Sequence, residues 1–199
     1  DDPVSSNDPV TPITPVTPND PVPDSGNYEF LSDFVTYDAT VTPFTFPESR
    51  GIPVYDAIKN AKHSISISIY LLSSKNVLAL LNERVLDDID VRVLVDGTPL
   101  GVKTDEEFSY LLMMDNNGAD VRAINYNGAP TKECRYVYNH SKYMVVDDET
   151  VVITSENWTA GNFSDHSDNR GWGAVVKSQG YAEYMETIFE NDFDESRED

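Results

Sequence analysis

The sequence predicts an α/β fold, a mixed sheet with helices on both faces. Three observations carry that prediction. From residue 53 to residue 126, strand-like and helix-like segments alternate. Between residues 142 and 154, two apolar runs flank a short acidic turn, the pattern of a hairpin. After residue 181 an amphipathic stretch supplies a closing helix. Alternating strands and helices give parallel pairing and a hairpin gives antiparallel pairing, so a sheet built from both is mixed and covered on both sides.

Taken in order, residues 53–61 read as a short helix, with Pro53 in the first turn where its missing N–H costs nothing. Residues 63–70 alternate, with Ile65, Ile67 and Ile69 on one face and serines between them, so they form a strand. Residues 77–85 form an amphipathic helix capped by Ser73 or Ser74. Residues 91–95 are a strand ending at Asp96-Gly97. Thr104 and Glu107 have the spacing of a capping box that opens a helix through Met114, and Asn117-Gly118 ends it. Residues 121–126 are the next strand. Residues 142–146 and 151–154 are strands joined through the acidic turn 147–150, residues 172–176 are a further strand, and residues 181–189 are the closing helix.

Ahead of this region, residues 1–26 hold seven of the twelve prolines, near every third position, with Thr-Pro repeated three times. Such a segment has no core of its own and suits a polyproline II spacer or a disordered one. The expected organisation is a Pro/Thr/Asp-rich linker at 1–26, a folded domain at 27–193 and an acidic tail at 194–199. A spacer of this type implies something tethered at its N-terminal end, and the expected location is extracytoplasmic or at the cell surface.

The chain has 199 residues and a net charge of −21, from 35 acids against 14 bases. Five acids lie in residues 1–26 and six in residues 190–199, which leaves 24 acids and 13 bases in the body. The acidity is therefore not confined to the ends. Such a surface repels nucleic acid and anionic membrane at long range, so a polyanionic substrate needs local positive charge. Lys132 and Arg135, just before residue 140, are the candidates. Cys134 is the only cysteine, which excludes an intrachain disulfide and a Cys-His metal cluster. No apolar run reaches the length of a membrane-spanning helix.

The chemistry is concentrated late in the chain. His140, Lys142 and Asp147 have the spacing H-x-K-x4-D. Period two puts His140 and Lys142 on one side of a strand, with Asp147 at the hairpin turn. The next strand runs into Thr154-Ser155-Glu156-Asn157-Trp158-Thr159, where Ser155 and Asn157 are again two apart. A hairpin returns that strand end to the start of the previous one. An imidazole, an ammonium, a hydroxyl and a carboxamide then converge, a set that suits phosphate: one nucleophile and several donors for nonbridging oxygens. Asp168, ahead of the next strand, can supply a carboxylate to orient the histidine. His63, at the start of a strand, is expected to be structural, and His166 to be an exposed loop residue. Trp158 is a candidate to stack on substrate, with core packing as the alternative.

From about residue 52 to residue 193, these residues resemble the phospholipase D superfamily. That family pairs H-x-K-x4-D with a following G-S-x-N and then an acidic residue. The helix around residues 57–62 and the strands at 64–70 and 91–97 resemble its opening strand-helix-strand unit. Thr154 stands where the family usually has Gly, and Asp168 where it usually has Glu. The resemblance implies a phospholipase D-like α-β-α sandwich and a two-step displacement. His140 would attack phosphorus and form a phosphohistidine. Lys142, Ser155 and Asn157 would hold the phosphate oxygens, Asp168 would fix the His140 tautomer, and Asp147 would hold strand and turn in place. No cofactor or metal is implied. The family mechanism uses two such motifs, and this chain carries one. A second half is therefore expected from a homodimer partner or from a longer parent chain. The expected substrate is a phosphodiester, with phospholipid favoured because the acidity disfavours DNA. The alternatives are a nuclease using the same chemistry and a catalytically silent module of the same fold.

Overall fold

The computed structural model describes residues 35–99, 105–124, 138–167 and 169–195. The expected linker at 1–26, Thr104, Lys132, Cys134, Arg135 and Asp168 lie outside these residues. Seven strands and four helices follow in the order β1 (Thr40–Phe46), α1 (Ile52–Asn60), β2 (Ser64–Ile69), α2 (Lys75–Leu86), β3 (Asp90–Asp96), α3 (Asp105–Asn116), β4 (Asp120–Ile124), β5 (Lys142–Val146), β6 (Thr150–Thr154), β7 (Gly171–Lys177) and α4 (Gln179–Glu195). The strands form one sheet in the order β1-β7-β6-β5-β2-β3-β4. Pairing is parallel from β2 through β3 to β4 and antiparallel from β2 through β5, β6 and β7 to β1. This is the mixed sheet that the alternation and the hairpin predict.

The sheet separates two cores. The larger packs α1, α2 and α3 against Ile65, Ile67, Ile69, Val93, Met144 and Val152. The other packs α4, through Ala182, Phe189 and Phe193, against Leu94, Tyr143, Val145 and Val151. Because helices cover both faces, a central strand is buried on both. In β2 the serines between the isoleucines are enclosed too, Ser66 at 1% and Ser68 at 0% exposure. Buried hydroxyls need partners. Ser66 Oγ donates to Glu186 of α4 at 2.9 Å and accepts from Arg92 Nη2 at 3.0 Å. Arg92 also pairs with Glu190, which ties α4 to β3.

Local signals explain most element ends. Ser74 caps α2, its Oγ accepting from Val77 N at 3.5 Å. Gly118, at φ 114°, turns the chain out of α3. The capping box expected at α3 pairs Glu107 with Thr104, which lies outside the described residues; the buried Glu107 carboxylate accepts from Leu72 N at 2.6 Å, on the β2–α2 connection. The sequence hides β1. It lies within the expected folded domain, but its Thr and Pro content gives no strand pattern, and it pairs with β7 in register, Pro43 opposite Ala174. Proline is tolerated there because β1 is an edge strand, and Phe44 and Phe46 alternate inward to hold it. The closing helix runs longer than residues 181–189, starting before Gly180 and extending to Glu195 in the expected tail.

Candidate active site

One end of the sheet gathers the chain segments of interest. The register pairs Ile69, the last residue of β2, with Lys142, the first of β5. It pairs Tyr143 with Ile153, so β6 ends beside the start of β5, and Thr154 with Gly173 near the start of β7. The approach to β5 through His140 and the bend after β6 therefore leave the sheet at the same end. Two polar strand ends, Tyr70 after β2 and Asp96 closing β3, stand there as well.

His140 is exposed and lies just before β5, while Lys142 is buried along its stem. The Lys142 Nζ is 3.3 Å from His140 Nε2 and donates to the His140 carbonyl at 3.0 Å. Burial lowers the Lys142 pKa below the usual lysine value, opposed by the negative charge of Glu156. A desolvated ammonium beside an accessible imidazole is a strong anchor for an anion that has shed its water. Tyr70 supports both groups. Its ring centroid is 4.9 Å from that of His140 at a 59° tilt, and Lys142 Nζ lies 5.6 Å from it. Those separations suit a tilted aromatic pair and a cation–π contact.

The bend after β6 is fixed from below. Trp158 N donates to Leu71 O at 3.1 Å, and Ser73 N and Ser74 N donate to Trp158 O at 3.0 and 2.9 Å. Leu72 bridges to Trp158 in parallel, while Glu107 holds the Leu72 N–H. Trp158 is 0% exposed, and its Nε1 donates to Thr154 Oγ1 at 3.0 Å. The expectation that Trp158 meets substrate is corrected accordingly. The ring is a wedge in the larger core, and its only polar atom is already engaged.

Ser155 is exposed, with its Oγ accepting from Trp172 N at 2.9 Å and its own N–H donating to Trp172 O at 2.8 Å. The main-chain oxygen of Asn157 accepts from Asn162 Nδ2 at 3.0 Å, whereas its buried side-chain Oδ1 has no hydrogen-bond partner among the described residues. A buried polar atom without a partner carries the full cost of desolvation, so Asn157 favours a ligand or water that supplies a donor or turns the amide. β6 stops at Thr154, so the spacing of Ser155 and Asn157 is that of a bend and not of strand alternation.

Asp147 stands apart from this group. It lies at the far end of β5, roughly 17 Å of strand away. Its carboxylate accepts from the N–H groups of Lys62, His63 and Ser64 at 2.7–3.1 Å, clamping the start of β2 to the β5–β6 turn. Its φ of 54° is left-handed, a conformation Asp tolerates. Asp147 is thus placed to hold strand and turn, and it stands at the opposite end of β5 from His140. His63 is exposed, and its backbone rather than its ring is what Asp147 holds. His166 is exposed in the loop before Asp168, near Asp165. Among the described residues no group of three or more His, Cys, Asp and Glu side chains is placed to share a metal ion, and no helix is long and apolar enough to cross a membrane.

Comparison with known proteins gives this geometry its context. The family described as cardiolipin synthase, PLD-like domain, matches residues 54–193. The chain belongs to the phospholipase D-like family. Among solved structures it is similar to Nuc from Salmonella typhimurium, a phospholipase D family member, with a TM-score of 0.68 at 20% identity over 80% of this chain and 97% of that one. It is similar to NucT from Helicobacter pylori, with a TM-score of 0.65 at 17% identity over 79% of this chain and 98% of that one. It also resembles phosphatidylserine synthase from Haemophilus influenzae Rd KW20, with a TM-score of 0.57 at 11% identity, covering 79% of this chain and 39% of that one. No curated protein matches the sequence. At these identities the structural likeness establishes the phospholipase D-like fold.

Within that fold, the sequence reading misses Tyr70, Glu156 and the buried polar residues behind His140. Tyr70 follows the Ile-Ser alternation of β2, and only the β2–β5 register puts it under His140. Glu156 sits between the two residues that are singled out, and its carboxylate shares the neighbourhood of Lys142 and Ser155. Gly171 makes room for it, since a Cβ there would fall 2.3 Å from Glu156 Oε1.

Proposed function

We propose that this chain is a phosphodiesterase in which His140 attacks the phosphorus of a phosphodiester. The observation that carries the reading is the pairing of an exposed His140 with Lys142, the Nζ 3.3 Å from Nε2. A phosphate oxygen held on that ammonium brings phosphorus to Nε2. As the N–P bond forms, the P–O bond to the leaving group breaks. The leaving oxygen takes a proton from a second histidine, which then withdraws one from water. Attack of that water oxygen on phosphorus breaks the N–P bond and frees His140. Lys142, Ser155 and Asn157 are the donors that meet the charge developing on the nonbridging oxygens, each such donor being worth roughly 10²–10³ in rate. Asp168 is the proposed carboxylate partner of the imidazole.

The second histidine is assigned to another motif-bearing half, either a second copy of this chain or a further segment of a longer parent. Within this sequence His63 and His166 lack the H-x-K spacing. A phospholipid is the favoured substrate, supported by the family match to a cardiolipin synthase domain and by a body whose acidity repels polyanions. A nucleic acid is the second reading. It is favoured by Trp172, which is 58% exposed and bonded through its backbone to Ser155, where a base has a ring to stack on. We further propose that the spacer places the domain outside the cytoplasm.

Purified chain assayed against bis-p-nitrophenyl phosphate, phosphatidylcholine vesicles and single-stranded DNA separates these readings. Hydrolysis of the first and second that is lost in His140→Ala is the expected result. Turnover of DNA without lipid would move the substrate to nucleic acid, and unchanged activity in His140→Ala would remove His140 from the mechanism.

A further inference from the structure

Behind His140 lies a group of polar side chains that the reaction does not use. Asp96 is 1% exposed, Ser68 0% and Asn139 7%, beside strands rich in valine, leucine and isoleucine. Burying a carboxylate, a carboxamide and a hydroxyl costs several kcal/mol unless each is satisfied. Here their bonds converge on the backbone at either side of one residue. The Asp96 carboxylate accepts from Asn139 N at 2.8 Å through Oδ2 and from Thr98 N at 2.9 Å through Oδ1. Asn139 Oδ1 accepts from Ser141 N at 3.2 Å, which closes an Asx turn around His140, and accepts also from Ser141 Oγ. Asn139 Nδ2 donates to Ser68 Oγ at 3.2 Å and to Leu94 O at 3.4 Å. Ser68 and Ser141 hydroxyls are 3.0 Å apart, and the Ser141 carbonyl accepts from Tyr70 N at 2.9 Å. Residues 139 and 141 are thus both tied to β2 and β3, while His140 between them points its ring outward against Tyr70.

We propose that Asn139, anchored on Asp96, is a positioning residue that aims the His140 imidazole through this turn. The claim rests on the reading of His140 as nucleophile. A satisfied, buried polar frame is stiff, and stiffness matters because in-line attack tolerates little error: a displacement of about 1 Å at a reacting atom costs roughly 10²-fold in rate. Binding of the phosphate depends on the Lys142 ammonium and the bend after β6, and the side-chain hydrogen bonds of the frame engage neither. Loss of the frame therefore lowers kcat and leaves KM nearly unchanged.

Two readouts on the full chain test this, in wild type, Asn139→Ala, Asn139→Ser and His140→Ala. The first is hydrolysis of bis-p-nitrophenyl phosphate. The second is the NMR spectrum of the histidine ring protons, simple to assign because the chain has three histidines and His140→Ala deletes one set. In Asn139→Ala, kcat should fall roughly 10–100-fold with KM within about threefold of wild type. The His140 ring shifts should move toward free-histidine values as the ring leaves Tyr70, while those of His63 and His166 stay in place. Asn139→Ser keeps a shorter acceptor for Ser141 N and should recover part of both effects. Unmoved His140 resonances with unchanged kcat would overturn the proposal. So would failure of both Asn139 variants to fold, which would make Asn139 purely structural. If His140→Ala retained full activity, the nucleophile assignment would fall, while displaced ring shifts in Asn139→Ala would still establish that the frame positions the ring.

Discussion

Single side chains carry three kinds of work in this protein, and each has its own test. Glu107 is a buried carboxylate whose pKa is pushed up to about 7 by desolvation, with the Leu72 N–H opposing the shift. The folded state therefore keeps a proton that the unfolded chain, with an ordinary glutamate, releases. Its contribution to stability is fully present below about pH 4.5 and is lost as pH rises through 7. Glu107→Gln retains an oxygen for Leu72 N and loses the charge. Urea unfolding should show the variant more stable than wild type at pH 8 by roughly 1–3 kcal/mol, with a smaller gap at pH 5. A gap that does not change with pH would refute the assignment. Asp147 does a different kind of work, as a clamp on three backbone N–H groups. Asp147→Ala should cost about 2–4 kcal/mol in urea unfolding, because it leaves those donors without their acceptor. Its effect on kcat in folded protein should be far smaller than that of His140→Ala. The third kind is the site itself, where Lys142→Met should remove the anchor for phosphate and lower kcat/KM by at least about 10²-fold in steady-state assays.

At the scale of elements, close approach decides what the sequence must be. Gly173 of β7 lies where a Cβ would meet Phe44 at 2.3 Å and the Ile153 carbonyl at 2.8 Å. Gly173→Ala should therefore loosen β1 and cost roughly 1–3 kcal/mol, read as a lower midpoint in thermal unfolding. Strand periodicity makes β2, β3, β5 and β6 legible, since both faces of a central strand demand apolar or partnered residues. β1 escapes because an edge strand admits Pro43 and exposed Thr and Val41, and its inward apolar marks, Phe44 and Phe46, are too short a run to stand out. The contact of Glu107 with Leu72 is hidden for a different reason. A glutamate three residues after a threonine has the same local spacing whether or not its carboxylate also reaches across to Leu72, and only the tertiary neighbour decides. The candidate site was legible where spacing is chemistry, as in His140, Lys142, Ser155 and Asn157. It was illegible where register brings in a distant chain segment, as for Tyr70 and Asp96.

The whole molecule sets the conditions under which the site works. A net charge of −21 surrounds a site whose described cation beside His140 is Lys142. A polyanionic substrate meets long-range repulsion that salt screens, the Debye length shrinking from about 30 Å at 0.01 M to about 8 Å at 0.15 M. Should an oligonucleotide be turned over, kcat/KM on it should rise over that range of salt, while kcat/KM on the small monoanion bis-p-nitrophenyl phosphate should change little. The sequence carries one H-x-K-x4-D motif, so under the proposed mechanism the second histidine would come from a second copy or from a further segment of a longer parent. The most direct measurement is still at the bond the mechanism forms. Wild-type protein mixed with a phosphodiester, quenched within one turnover and digested should yield a phosphorylated peptide containing His140, visible by mass spectrometry under alkaline conditions and absent in His140→Ala. Turnover with no such adduct, or an adduct carried on His63 or His166, would contradict the account.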